Sequence, residues 1–278
     1  MNCYKFVEYN FDRGLFDVSI DATYVIHLEN NGRINQVIEQ IYKYKPTKKI
    51  YILYNKGFKN CNKILEKNEP DKDLVHCNLT IFKHAKLNNY DNILILEDDF
   101  IFNDKIKNKD ILQDLNYFFY DKKKINFIYY IGGIPIFSIY YKKNHYVPLF
   151  IGTTHCCVFS KKAREILLSN SVTILRSFLL WDLYLNQNNN INKYHYKYPL
   201  CYQIFPVTEN QKKWNFSNNS HINKIIKQLN FFLLKLLNLD KKPEPGFTII
   251  YNLSIVLLAY LIIVIAILSY YISLFRYL

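Results

Sequence analysis

The segment Asn92-Ile93-Leu94-Ile95-Leu96-Glu97-Asp98-Asp99-Phe100 sets four consecutive apolar residues directly before three carboxylates. A run without polar alternation has no face to turn to water, which suits an interior strand of a parallel sheet covered on both sides. In open α/β sheets ligands bind beyond the carboxyl ends of the strands, and the acids fall at such an end. Three adjacent carboxylates at the edge of a core repel one another and lose hydration. Cations, hydrogen bonds or a metal ion must then hold them in place. A bound divalent metal resolves the conflict; a solvated acidic turn after an ordinary strand is the plainer alternative.

Around this run, strand-like and helix-like segments alternate. Thr23–Leu28 reads as a first strand and 33–44 as the helix after it, followed by a strand at Lys49–Tyr54 and a helix over 71–87. Beyond the acids, 110–120 is helical in pattern, and Phe127–Ile131 is a strand closed by a turn at Gly132-Gly133-Ile134-Pro135. His155–Phe159 reads as a strand, Ser160 as the N-cap of a helix over 161–168, and 174–185 as a further helix carrying Asp182. Residues 195–206 return to extended character. This order predicts an α/β sandwich with a mostly parallel central sheet, occupying residues 1–220 as one domain.

The remainder is of another kind. Residues 249–268 carry no charged side chain and are long enough to cross a bilayer as a helix. Tyr251, Tyr260, Tyr270, Tyr271 and Phe275 include residues suited to its interfaces, and Arg276 can snorkel near its end. We expect residues 247–275 to form a transmembrane helix and 221–246 a juxtamembrane linker. Within that linker Ile222–Leu239 reads either as an interfacial amphipathic helix or as a helix packed back on the domain. The start of the chain has no apolar leader-like run, and Lys241 and Lys242 precede the apolar segment. The expectation is a single-pass tail anchor with the domain in the cytosol.

A formal net charge of +13 favours anionic partners such as nucleotides or acidic lipid headgroups, although the abundance of Lys, Asn, Ile and Tyr is also what AT-rich coding produces. The six cysteines form no CxxC pair and no zinc spacing, so free thiols in a reducing compartment are expected. Sequons at Asn78, Asn215 and Asn218 arise readily in an Asn-rich chain and are not expected to be glycosylated.

Several segments occur in an order that resembles glycosyltransferase family 25. They are Thr23-Tyr24-Val25-Ile26-His27-Leu28 with Arg33, Ile93-Leu94-Ile95-Leu96-Glu97-Asp98-Asp99, and Gly152-Thr153-Thr154-His155 leading into Ser160-Lys161-Lys162-Ala163. Asp182-Leu183-Tyr184-Leu185 and Pro199-Leu200-Cys201-Tyr202-Gln203 extend the likeness, which covers about residues 20–215. The chain departs from the family at its first strand, where His27 stands in place of the usual Asn and Asn30-Asn31-Gly32-Arg33 replaces an Arg-rich turn.

The resemblance implies a GT-A type nucleotide-sugar-binding fold and transfer of a hexose from a nucleoside-diphosphate sugar, a UDP-sugar being favoured, to a protein, lipid or glycan acceptor. No specific nucleic acid partner is expected. Departure of a diphosphate builds negative charge that Mg²⁺ or Mn²⁺ on hard carboxylates neutralises, which fits Glu97 and Asp99 as metal ligands. By analogy with such sites Asp98 or Glu97 contacts the ribose or a metal-bound water, while a structural acceptor role for Asp98 stays open.

Asp182, flanked by Leu179, Leu180, Trp181, Leu183 and Leu185, is the candidate general base, with an exposed helical Asp as the alternative. Trp181 suits either stacking on a sugar or the core. His155 is a candidate metal or phosphate contact, or else a structural histidine. Arg33, Lys212 and Lys213 are candidates for the diphosphate. An idle transferase-like adaptor whose basic surface binds acidic lipids or nucleic acid is the competing class, and phosphoryl transfer ranks behind both because no P-loop pattern occurs.

Overall fold

The computed structural model describes residues 3–275 apart from 64, 66, 178, 205–227, 229–231, 233 and 240. Every residue from Ile93 to Leu96 is at most 1% exposed, because the strand that holds them, β4 (Asn92–Glu97) by chain order, is covered on both faces. Leu94 and Leu96 face one core with Val25, Ile52 and Val158, beneath helices α1 (Ile34–Tyr44) and α3 (Lys109–Asp121). Ile93 and Ile95 face the other with Tyr24, Leu53 and Phe159, beneath α2 (Pro70–Leu87) and α4 (Lys161–Ser169). The α/β layering therefore holds. Ser160 caps α4 as its sequence predicts, its hydroxyl accepting from Ala163 N.

Six further strands complete the sheet: β1 (Tyr4–Asn10), β2 (Ala22–Leu28), β3 (Lys49–Asn55), β6 (Phe127–Lys142), β7 (His145–Ser160) and β8 (Asn192–Tyr196), in the order β1-β3-β2-β4-β7-β6-β8. The expected mostly parallel sheet is corrected to a mixed one. β3-β2, β2-β4 and β6-β8 run parallel, whereas β1-β3, β4-β7 and β7-β6 run antiparallel. The cause is a hairpin of two 16-residue strands, β6 and β7, that wedges between β4 and β8. The expected turn at Gly132–Pro135 lies inside β6, and the pairing slips there instead of reversing. A Cβ on Gly132 would collide with His155 Nε2 and the Cys201 carbonyl, so glycine serves close packing at that point.

The expected helix over 174–185 is two, α5 (Ser171–Arg176) and α6 (Trp181–Gln187). Leu179 and the start of α6 are held instead by α2: Asp71 Oδ1 accepts from Trp181 N at 3.0 Å, and Lys72 Nζ donates to Leu179 O at 3.1 Å. A two-stranded sheet pairs β5 (Phe100–Phe102) with β9 (Cys201–Gln203) at the end of β4.

β1 also overturns the expectation of free thiols throughout. Its antiparallel pairing with β3 carries Cys3 to the loop after β3, where it forms a disulfide with Cys61 across a Cα separation of 5.6 Å. Cys77, Cys156, Cys157 and Cys201 are free and buried.

The last element, α7 (Gly246–Phe275), is long and apolar enough to cross a membrane, with a mean hydropathy of 2.6 in its most apolar stretch within Gly246–Ser269. Its root is docked on the domain. Phe247 packs with Tyr202, Ile134 and Leu239, Tyr251 meets the His195 ring edge-on, and Ser254 Oγ lies 3.0 Å from Ser138 Oγ. Farther along, Tyr260, Leu261, Ile262 and Ile263 are all exposed. Most of the expected amphipathic segment, and Arg276, lie outside the described residues.

Candidate functional site

Glu97 ends β4, and Asp98 and Asp99 form the turn into β5. All three are largely buried, yet their surroundings differ. Asp98 is saturated: Oδ2 accepts from His27 Nδ1 and Leu28 N, each at 3.0 Å, and from Asn31 Nδ2, while Oδ1 accepts from Arg33 Nη1 at 2.9 Å. Burial opposes its ionisation, but the His27 hydrogen bond, the Arg33 charge and the Leu28 and Asn31 bonds together hold the carboxyl below its ordinary range. These contacts describe the structural acceptor among the roles expected of Asp98, with three of the four bonds falling on Oδ2. Asp98 ties the end of β2 to the start of α1 and so positions Arg33.

Glu97 and Asp99 lack such compensation. Thr154 Oγ1 donates to Glu97 Oε1 at 2.7 Å. Burial, followed by the charge of Asp99, pushes the Glu97 carboxyl well up. Gln203 Nε2 donates to Asp99 Oδ2 at 3.0 Å, and Arg33 Nη1 stands 3.8 Å from the same oxygen. Burial again, with the charge of Asp98, pushes Asp99 up against these two influences. Glu97 and Asp99 thus titrate as one interacting pair.

Among the described residues, two buried acceptors at this pair have no hydrogen-bond partner, Asp99 Oδ1 and Gln203 Oε1. The Gln203 amide cannot be turned round to help, since its NH₂ already faces a carboxylate. Hard oxygens and uncompensated negative charge fit a Mg²⁺ or Mn²⁺ ion. Among the described residues no group of three or more His, Cys, Asp or Glu is arranged to hold a metal. Glu97 and Asp99, with Gln203 beside them, would therefore form a partial shell of the kind that Mg²⁺ completes with waters and substrate phosphates.

Asp182 lies in the first turn of α6, where its Oδ1 accepts from Leu183 N at 2.9 Å. Burial raises its pKa, the Leu183 and Thr153 amides oppose the rise, and the charge of Asp71 adds to it. The Thr153 amide that bonds Asp182 adjoins Thr154, whose hydroxyl bonds Glu97, so two successive residues of β7 link Asp182 to the acid at the end of β4. Between them sits Thr153, a β-branched residue with φ +65°. Such a conformation costs on the order of 1–3 kcal/mol and is commonest where a site imposes it.

His155 is fully buried. Its Nε2–H points at Cys201 O at 3.4 Å, and Thr153 Oγ1 lies 3.1 Å from Nδ1. Burial lowers its pKa to about 4, so it is neutral at physiological pH. Both ring nitrogens are engaged within the fold, as in the structural alternative to the expected metal or phosphate contact. Trp181 is only 2% exposed and stacks on Tyr184, which places it in the core instead of on a sugar-binding surface. Lys212 and Lys213 lie outside the described residues.

Sequence reasoning passed over four participants: His27 and Asn31, which hold Asp98, and Thr154 and Gln203, which hold Glu97 and Asp99. All four stand within the quoted motifs or the turn beside Arg33, which was the available signal. An open depression lined by Tyr4, Lys5, Phe6, Glu29 and Lys56 adjoins the loop after β2 but includes none of the acids.

Compared with protein-family models and with curated proteins, the chain matches none. Among solved structures it is similar to a glycosyltransferase involved in the glycosylation of the major capsid of PBCV-1. That likeness has 12% identity and a TM-score of 0.42 and covers 75% of this chain and 98% of the other. It is also similar to an apo UDP-glucose pyrophosphorylase, at 10% identity and a TM-score of 0.33, over 63% of this chain and 72% of that one. At such values neither likeness establishes a shared fold or carries a functional argument.

Proposed function

We propose that this chain is a membrane-anchored, metal-dependent glycosyltransferase that moves a hexose from a nucleoside-diphosphate sugar, a UDP-sugar being favoured, to an acceptor hydroxyl. The observation that carries the reading is the pair Glu97 and Asp99: a half-buried and a buried carboxylate at the end of a central strand, only partly compensated, with Asp99 Oδ1 and Gln203 Oε1 lacking a hydrogen-bond partner among the described residues and Arg33 3.8 Å from Asp99. A fold holds such a pair at a cost to stability, which function accounts for better than architecture does. The ordered motifs resembling glycosyltransferase family 25 support the same reading.

In this proposal Glu97 and Asp99 hold Mg²⁺ or Mn²⁺, which when bound neutralises charge on the departing diphosphate. Arg33, 22% exposed at its side chain and steered by Asp98, adds a fixed positive charge to the same phosphates. Asp182, its pKa raised by burial, accepts the proton of the acceptor hydroxyl as that oxygen bonds the anomeric carbon and the bond from that carbon to the diphosphate breaks. Residues 1–220 form the catalytic domain, 221–246 the juxtamembrane linker and 247–275 the anchor. The acceptor is a protein, lipid or glycan.

The test is calorimetric titration of UDP into the full chain in lipid nanodiscs, with Mn²⁺ or with chelator, for wild type and Asp99→Ala. Metal-dependent binding that disappears in the variant is expected. Failure of folded wild type to bind UDP, GDP or other nucleoside diphosphates under any of these conditions would overturn the proposal in favour of a membrane adaptor.

A further inference from the structure

The way α7 is docked gives the domain a definite attitude to any membrane that this helix crosses. Phe247 packs at the level of Ile134, and Ser254, two turns later, meets Ser138. Both β6 and α7 therefore advance in the same direction, and past Ser254 the helix has Val256 and Leu257 exposed and continues apolar. What lies ahead on β6 is the end of its hairpin with β7, which packs against the last turns of α3. Its composition is unusual for a surface open to water. Tyr117 and Tyr140 are 57% and 62% exposed, Tyr141 is 39% exposed, Lys142 ends β6, and Lys143 opens the two-residue turn. Lys142 Nζ lies 5.4 Å from the Tyr117 ring centroid, and Lys122 Nζ lies 5.4 Å from that of Tyr141.

Tyrosines interleaved with lysines, beside an apolar helix, are what the headgroup layer of a bilayer selects: the rings sit at the interface and the ammonium groups meet anionic lipid. We propose that the β6–β7 turn and the end of α3 form a second membrane contact, seated in the headgroup layer of an anionic bilayer beside the point where α7 enters it. The proposal rests on the reading of α7 as a membrane span. Asp114, 9% exposed at its side chain, stands behind the patch 3.9 Å from Lys143 Nζ, which stays 66% exposed, while Asp121 shares the surface at 43% and lies 3.4 Å from the Nζ of Lys122, itself 19% exposed. A protein partner is disfavoured by continuity, since the same hairpin already carries the docked root of the helix.

The experiment places the full chain in vesicles of phosphatidylcholine brominated on its acyl chains, with or without phosphatidylserine, and compares tryptophan quenching in wild type, Tyr140→Trp and Leu261→Trp. Leu261→Trp reports whether α7 is in the bilayer. Tyr140→Trp is expected to add a quenched component of about twofold or more over wild type, larger with phosphatidylserine, and the lipid dependence should be lost on adding Lys142→Glu and Lys143→Glu. Quenching of Leu261→Trp without any at Tyr140→Trp would overturn the proposal while leaving the span intact. Quenching at neither would overturn both, and a lipid dependence unchanged by the two glutamates would refute the role of the lysines.

Discussion

Glu97 and Asp98 are adjacent in sequence and opposite in energetics. The Glu97 carboxyl has its pKa raised by burial and by Asp99, so its ionised form costs stability at any pH above its unfolded value near 4.3. Replacing it by Gln keeps an oxygen for Thr154 and removes the charge. Glu97→Gln is therefore expected to raise the thermal midpoint at about pH 8, by the equivalent of roughly 1–2 kcal/mol, and to abolish transfer. The gain should vanish near pH 4, where Glu97 of the wild type is itself protonated. Asp98 has the opposite sign: its lowered pKa means stability present above about pH 3.9 and lost as pH falls through the folded value. Asp98→Asn should cost about 3–5 kcal/mol, because His27 and Arg33 lose the charge they are arranged around. Thermal melts of the two variants across pH check both signs. The acidic triplet is legible in sequence as a site. Which acid is spent on the fold is not, because that depends on a loop some 65–70 residues away.

At the scale of elements, the hairpin and β8 hold three buried histidines. Burial lowers His145, His155 and His195 each to about 4, with Asp114 partly opposing it at His145. All three are neutral in the fold, whereas the unfolded chain takes up protons near pH 6.5. Stability is therefore complete above about pH 6.5 and falls as pH drops towards 4, by on the order of 3 kcal/mol for each fully buried ring. Amide exchange is expected to show β7 and β8 losing protection before β2 and β3 as the pH is lowered through this window. Gly132 gives a second prediction. With Ala there, the new methyl strikes His155 and the Cys201 carbonyl, so β9 must move and carry Gln203 away from Asp99. A loss of about 1–3 kcal/mol together with weaker nucleotide binding is expected, and melting plus titration of Gly132→Ala checks it. β2, β3, β4, the buried stretches of β6 and β7, helices α1 to α4 and the Ser160 cap follow local pattern and were readable, whereas β1, β5 and the outer length of the hairpin were not. Gly132–Pro135 reads locally as a turn, and only its pairing with β7 makes it a bulge.

For the whole molecule, two features bear on which side of a membrane the domain occupies, and they disagree. Lys241 and Lys242 beside α7 favour the cytosol. The Cys3–Cys61 disulfide favours an oxidising compartment, since cytosolic thiols are kept reduced. The disulfide leads to the prediction that Cys3 and Cys61 resist alkylation in intact cells until a reductant is added, and that the domain is shielded from protease in sealed vesicles. Cys61→Ser should lower stability by up to about 4 kcal/mol, the loop-closure value for the separation of 58 residues, as read from denaturant melts. The docked root of α7 adds a constraint on the site itself. Tyr202 meets Phe247 and donates to Glu244 Oε1, and the next residue, Gln203, holds Asp99.

The sequence by itself determined the alternation of strands and helices, the interior strand with acids at its end and the apolar span, because each is written in residues close along the chain. The tertiary structure decided the mixed sheet, the disulfide, the division of labour among Glu97, Asp98 and Asp99, and the docking of α7 on β6 and β9. The physical reason is that burial and charge compensation are sums over neighbours in space, and at the acids those neighbours come from β2, the turn into α1, β7 and β9.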